Sequence, residues 1–195
     1  DPDGEPTVIN LGSGLQVAAN NKVLRVCGGI HYVDITVTGS WKILKIENEP
    51  ITLITMFTTP QLHGGEDRTV ITLNDNSDLT IREVLVTGGE GDSSASAYGN
   101  DYNNVVGGLF CQNAALTLQG TWITNSNANR GGAIFAHNCD LRIRGGAVLK
   151  SNSASRYGGA IWYGGGDDEN AVIVKNSSLI ENTVGPTTEA TARGG

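Results

Sequence analysis

The chain has 195 residues, with 20 Asp and Glu against 13 Lys and Arg, for a formal charge of −7. That balance repels phosphate backbones and argues against nucleic-acid binding. No apolar run approaches the roughly 20 residues of a membrane-spanning helix. The 27 glycines are about twice the usual share, yet Val, Ile and Leu recur throughout, so the glycines read as punctuation between strands rather than as disorder.

One domain, residues 1–195, suffices for this length. The chain opens at Asp1-Pro2 without an initiator Met, a start that a removed signal peptide would explain. Over residues 1–69 the alternation of Val33-Asp34-Ile35-Thr36-Val37 and Ile51-Thr52-Leu53 suggests strands without a repeating signature, hence irregular N-terminal coils or a cap. From residue 70 a repeat emerges. A degenerate copy runs through Ile71-Thr72-Leu73, Leu79-Thr80-Ile81 and Leu85, with Gly88 where Asn would be expected. Clear copies follow at Gly107-Gly108-Leu109-Phe110, Gly131-Gly132-Ala133-Ile134 and Gly158-Gly159-Ala160-Ile161, and Gly194-Gly195 ends the series. Between these pairs lie Leu116-Thr117-Leu118, Leu141-Arg142-Ile143 and Val172-Ile173-Val174. A large apolar residue is then followed three positions later by Asn: Trp122 and Asn125, Leu149 and Asn152, Leu179 and Asn182.

Three short period-2 segments per repeat mean three short strands, each burying alternate side chains. Stacking equivalent strands at about 4.8 Å predicts an all-β, right-handed, single-stranded parallel β-helix of about six coils, regular over residues 70–195. Its expected buried columns are Leu73, Phe110, Ile134 and Ile161; Leu79, Leu116, Leu141 and Val172; and Leu85, Trp122, Leu149 and Leu179. Asn125, Asn152 and Asn182 are expected to form an architectural ladder at a turn, because Asn tolerates positive φ and stacked amides bond each other. The Gly-Gly pairs read as sharp corners.

Trp122-x-x-Asn125 followed by Gly131-Gly132-Ala133-Ile134, and Leu149-x-x-Asn152 followed by Gly158-Gly159-Ala160-Ile161, resemble the paired Phe-x-x-Asn and Gly-Gly-Ala-Ile repeats of chlamydial polymorphic outer-membrane proteins and related surface β-helix proteins. Trp or Leu stands where Phe is usual. The resemblance implies an autotransporter-like passenger, a surface protein acting in adhesion.

Chemistry is sparse. Cys27, Cys111 and Cys139 fit no zinc or redox spacing; they read as small buried hydrophobes, one bridge at most, unassigned. His31, His63 and His137 are isolated. The acidic groups Glu66-Asp67, Asp75 with Asp78, Glu90 through Asp92, and Asp167-Asp168-Glu169 read as solvated loop charge, with Asp167 and Asp168 as calcium candidates through oxygen ligands. No other cofactor is implied. Strand alternation turns Asn74, Cys111, Phe135 and Trp162 outward, and Phe135, Trp162 and the adjacent Tyr163 form a candidate surface for a ligand or partner. Residues 87–106 and 183–193 would leave one edge as loops. Asn176-Ser177-Ser178 is an N-glycosylation sequon, used if the source secretes through a eukaryotic pathway.

The leading expectation is therefore a non-catalytic extracellular or cell-surface structural and adhesion protein, part of a larger surface assembly. Its partners would be surface proteins or glycans, met end to end or laterally. The alternative is a carbohydrate-active β-helix enzyme, a polysaccharide lyase or hydrolase, whose mark would be acids or an acid with Lys and Arg converging on one lateral cleft.

Overall fold

The computed structural model describes residues 8–10, 16–18, 23–26, 29–32, 35–45, 60–64, 69–73, 75–91, 107–165 and 172–185. Among them every regular element is a strand. Two short strands come first, β1 (Val8–Asn10) and β2 (Gln16–Ala18). Then follow β3 (Val23–Val26), β4 (Gly29–Tyr32), β5 (Ile35–Thr38), β6 (Ser40–Lys45) and β7 (Pro60–His63). The next circuit holds β8 (Ile71–Leu73), β9 (Asp78–Arg82) and β10 (Leu85–Thr87). After it come β11 (Leu109–Gln119), β12 (Trp122–Thr124) and β13 (Asn127–Arg130). β14 (Ile134–Arg144), β15 (Val148–Lys150) and β16 (Ser153–Tyr157) repeat them. The last circuit is β17 (Ile161–Gly164), β18 (Val172–Lys175), β19 (Ser178–Ile180) and β20 (Thr183–Val184).

These strands build three sheets, of eleven, six and three strands. Each circuit contributes in turn to the first, the second and, from β13 onward, the third. Every pairing is parallel except those of β1, which is antiparallel to β2 and β5. In the second sheet the order is β19-β15-β12-β10-β7-β4, and in the third β13-β16-β20. Parallel pairing reaches back to β3 on β6 and β4 on β7, well before the first clear copy of the repeat at residue 107.

Like packs on like in the interior. Ile35, Ile71, Leu109, Ile134 and Ile161 stack in register, and the first four are fully buried. The expected column of Leu73, Phe110, Ile134 and Ile161 is thus corrected at two places: Leu109, not Phe110, stands in it, and Ile71 takes the place of Leu73, which pairs with Cys111 in the next inward file. The column Leu79, Leu116, Leu141 and Val172 forms in the expected register, extended by Trp41, but Val172 at its end is exposed rather than buried. The third column is also corrected. Leu85 does pair with Trp122, but Trp122 pairs with Val148 and is 49% exposed; the inward file is Val86, Ile123, Leu149 and Leu179. The errors at Phe110, Leu85 and Trp122 are slips of one residue, which in a strand exchange the two faces; the one at Leu73 is a slip of two, which keeps the face.

The corners repeat as faithfully as the strands. Glu83, Gly120, Gly145 and Asn176 follow register-equivalent residues and all have φ between 51° and 65°. Gly88, Asn125, Ser151 and Glu181 do the same after the second sheet, with φ of 52° to 63°. A non-glycine residue there costs about 1–2 kcal/mol, tolerated because every neighbouring circuit turns at the same point. At the Gly-Gly corner the demand is steric. A Cβ on Gly132 would overlap the carbonyl oxygens of Gly159 and Ser153, and one on Gly159 would overlap that of Thr183.

The asparagine ladder exists with one member changed. Asn152 is fully buried; its Oδ1 accepts from the Ser126 N–H at 3.1 Å and its Nδ2 donates to the Ile123 carbonyl at 3.0 Å. Asn182 repeats this one circuit on, accepting from the Asn152 N–H at 3.1 Å and donating to the Leu149 carbonyl at 2.9 Å. The equivalent residue in the preceding circuit is Ser126; Asn125 is exposed at the positive-φ corner beside it. A second asparagine pair, absent from the sequence reading, lies inside the long strands. Asn113 and Asn138 both have φ of 47°, and Asn138 Nδ2 donates to Asn113 Oδ1 at 3.2 Å.

Two of the three cysteines pair. Cys111 and Cys139 form a disulfide with 6.0 Å between Cα atoms. The bridge runs diagonally between β11 and β14, where Cys111 is opposite Ala136 and Cys139 opposite Ala114. Cys27 lies outside the described residues.

Candidate functional site

The outward file of β8, β11, β14 and β17 reads Thr72, Phe110, Phe135, Trp162. Strands at about 4.8 Å spacing bring such rings face to face. The Phe110 and Phe135 centroids are 5.3 Å apart at 6°, and those of Phe135 and Trp162 are 4.4 Å apart at 19°. Arg130, at the end of β13, places its guanidinium 5.3 Å from the ring centres of both Trp162 and Tyr157, a cation–π arrangement. His137, two residues after Phe135 on the same face, lies parallel to Trp162 at 6.3 Å.

This geometry divides the three aromatic candidates. Phe135 is fully buried, held between two rings, and offers nothing to a ligand. Tyr163 faces the interior, continuing the column of Leu73, Cys111 and Ala136 and packing against the core. Trp162, half-buried at the end of the stack, retains accessible surface on the outward face, whereas the half-buried Tyr163 is turned inward. Alternation predicted the outward direction of Phe135 but could not show that neighbouring aromatics would cover it. Cys111, also expected outward, is buried in the bridge.

The calcium candidates Asp167 and Asp168 lie outside the described residues, as do Asn74 and most of the loop segments within 87–106 and 183–193. Among the described residues no three His, Cys, Asp or Glu side chains gather as a metal site would require, and no helix is long and apolar enough to cross a membrane. Asn176 is exposed at a positive-φ corner, where its side chain projects from the column of turns.

Two surfaces escaped the sequence reading. Trp122 stands exposed on the second sheet with Leu85 and Val148 on the adjacent strands. Among the described residues the other five exposed large hydrophobics, Val172, Ile173, Val174, Leu179 and Ile180, all lie on β18 and β19. Val172, Val174 and Leu179 continue files that are fully buried one circuit earlier, at Leu141, Ile143 and Leu149. Neither could be anticipated, since exposure depends on what stacks beyond each strand. Comparison with protein families, with curated proteins and with solved structures finds no match for this chain.

Proposed function

We propose that the chain is a right-handed parallel β-helix serving as a non-catalytic, extracellular or cell-surface structural and adhesion protein within a larger surface assembly. The observation that carries this reading is the register. Equivalent residues of successive circuits pair strand for strand across three sheets, an arrangement that makes a rigid spacer on which loops are displayed. The similarity of the Gly-Gly-Ala-Ile corners to those of polymorphic outer-membrane proteins points the same way.

Two further features support it. The Cys111–Cys139 bridge suits an oxidising compartment, since cytosolic thiols are kept reduced. The exposed apolar files on β18 and β19 suit a larger assembly, because clustered apolar surface marks contact with a partner.

Incubation with acidic and neutral polysaccharides, with and without calcium, tests the reading. Unchanged polymer is the expected result. Release of unsaturated or reducing ends, proportional to protein added, would replace the scaffold by an enzyme.

A further inference from the structure

The second half of the first sheet presents an outward face whose inward neighbours, including Ile43, Ile81, Leu118 and Ile143, are fully buried. One outward file runs Lys42, Thr80, Thr117, Arg142 and Ile173. The next runs Arg82, Gln119, Arg144 and Lys175. Five of the chain's 13 basic residues thus share one flat face of a molecule that is acidic as a whole. Asp140 pairs with Arg142, Glu83 pairs with Arg82 at 3.3 Å, and Asp78 lies exposed at the border. Lys42, Arg144 and Lys175 are exposed and form no ion pair among the described residues.

Register converts these positions into distances. Arg144 and Lys175 are one strand apart, about 4.8 Å, while Arg82 and Arg144 are two apart, about 9.6 Å. Lys42 and the level of Lys175 are separated by four steps, on the order of 19 Å. The cations therefore form a sparse line running across the strands, with the hydroxyl of Thr80 and the amide of Gln119 between them. One strand step is comparable to the length of one pyranose residue.

We propose that this face binds a linear anionic polysaccharide lying across the strands, its carboxylates or sulfates taken by Arg144, Lys175, Arg82 and Lys42 and its ring hydroxyls by the intervening polar side chains. A uronate polymer offers one carboxylate per sugar, about one strand step apart, which matches this line of cations. A polyphosphate draws its affinity from many simultaneous contacts, more than this short line of cations supplies in a chain whose net charge is −7. The proposal rests on strand register and stands whether or not the chain is a surface scaffold.

Calorimetric titration of the full chain with heparin and with oligogalacturonate, using neutral dextran and single-stranded DNA as comparators, tests it. Both acidic glycans should bind at low salt and dextran should not. The paired substitution Arg144→Gln and Lys175→Gln should weaken binding about tenfold and lower the slope of log affinity against log salt by roughly two. Lys150→Gln, on the second sheet, should leave binding unchanged. Lys42→Glu should weaken binding of glycans long enough to span the face and leave disaccharides unaffected. Melting curves of the Arg144/Lys175 and Lys42 variants should match the parent, as those side chains are exposed. Undiminished binding by the Arg144/Lys175 variant, failure of both acidic glycans to bind, equal binding of dextran, or tighter binding of DNA would each overturn the proposal.

Discussion

Asn125 and Asn152 occupy neighbouring corners of successive circuits, yet their side chains do different work. Asn152 ties its own circuit to the one before it, satisfying the Ser126 N–H and the Ile123 carbonyl. Replacing it by Ala removes the side-chain partner of two buried backbone groups, each worth about 1–3 kcal/mol, so Asn152→Ala should destabilise by about 2–6 kcal/mol in urea denaturation. Asn125 contributes mainly its tolerance of φ 52°. Asn125→Ala should cost about 1 kcal/mol, and Asn125→Gly almost nothing. The sequence held the ladder at Leu149-x-x-Asn152 and Leu179-x-x-Asn182 but misassigned it at Trp122-x-x-Asn125. Period-2 alternation leaves two possible faces, and bulk favoured Trp122 over Ile123 as the buried residue. The corner leading to β12 holds Gly120 and Thr121, whereas that leading to β15 holds Gly145, Gly146 and Ala147. Counting from a landmark across corners of unequal length loses one residue, and one residue exchanges the faces.

At the scale of elements, the corner glycines and the bridge hold the long strands together. Gly132→Ala would drive a methyl into the carbonyl oxygens of Gly159 and Ser153, backbone atoms that cannot yield without parting the strands. Loss of more than about 4 kcal/mol, or failure to fold, is expected by the same denaturation assay. Gly146→Ala makes the instructive contrast: nothing lies within 4 Å of its Cβ position, and φ is 82°. Strain alone should cost it about 1–2 kcal/mol. The disulfide spans 28 residues, for which restricting the unfolded chain gives about 3–4 kcal/mol. Reduction of the Cys111–Cys139 bridge should lower the melting temperature accordingly, as calorimetry with and without reductant would show. None of this pairing was legible from spacing, because Cys111 and Cys139 meet only when β11 and β14 are laid in register. The candidate aromatic surface failed for the same reason, since Phe135 is outward by alternation and buried by Phe110 and Trp162 stacking on its two faces.

For the whole molecule, the repeat carried most of the architecture. Residues that recur in the sequence, such as Leu116 and Leu141 or Leu149 and Leu179, are those that pair in space. The strands before residue 64 join the same sheets although no complete copy of the repeat is legible before residue 70, so the full signature is not needed for the pairing. Charge behaved differently. The net −7 pointed away from anionic partners, while register gathers Lys42, Arg82, Arg142, Arg144 and Lys175 onto one face. Such a patch is invisible to a sum over the chain.

Cysteine cross-linking across the outward face measures the register itself. Thr80 and Thr117 are partners on adjacent strands, about 4.8 Å apart and inside bridging range, whereas Thr80 and Arg142 are two strands apart, about 9.6 Å and beyond it. Peptide mapping of the oxidised protein should find the Thr80→Cys/Thr117→Cys variant bridged between those positions and the Thr80→Cys/Arg142→Cys variant unbridged. The reverse pattern would mean that successive circuits do not lie one upon the next, and the sheets, the corners and the cationic face would all have to be redrawn.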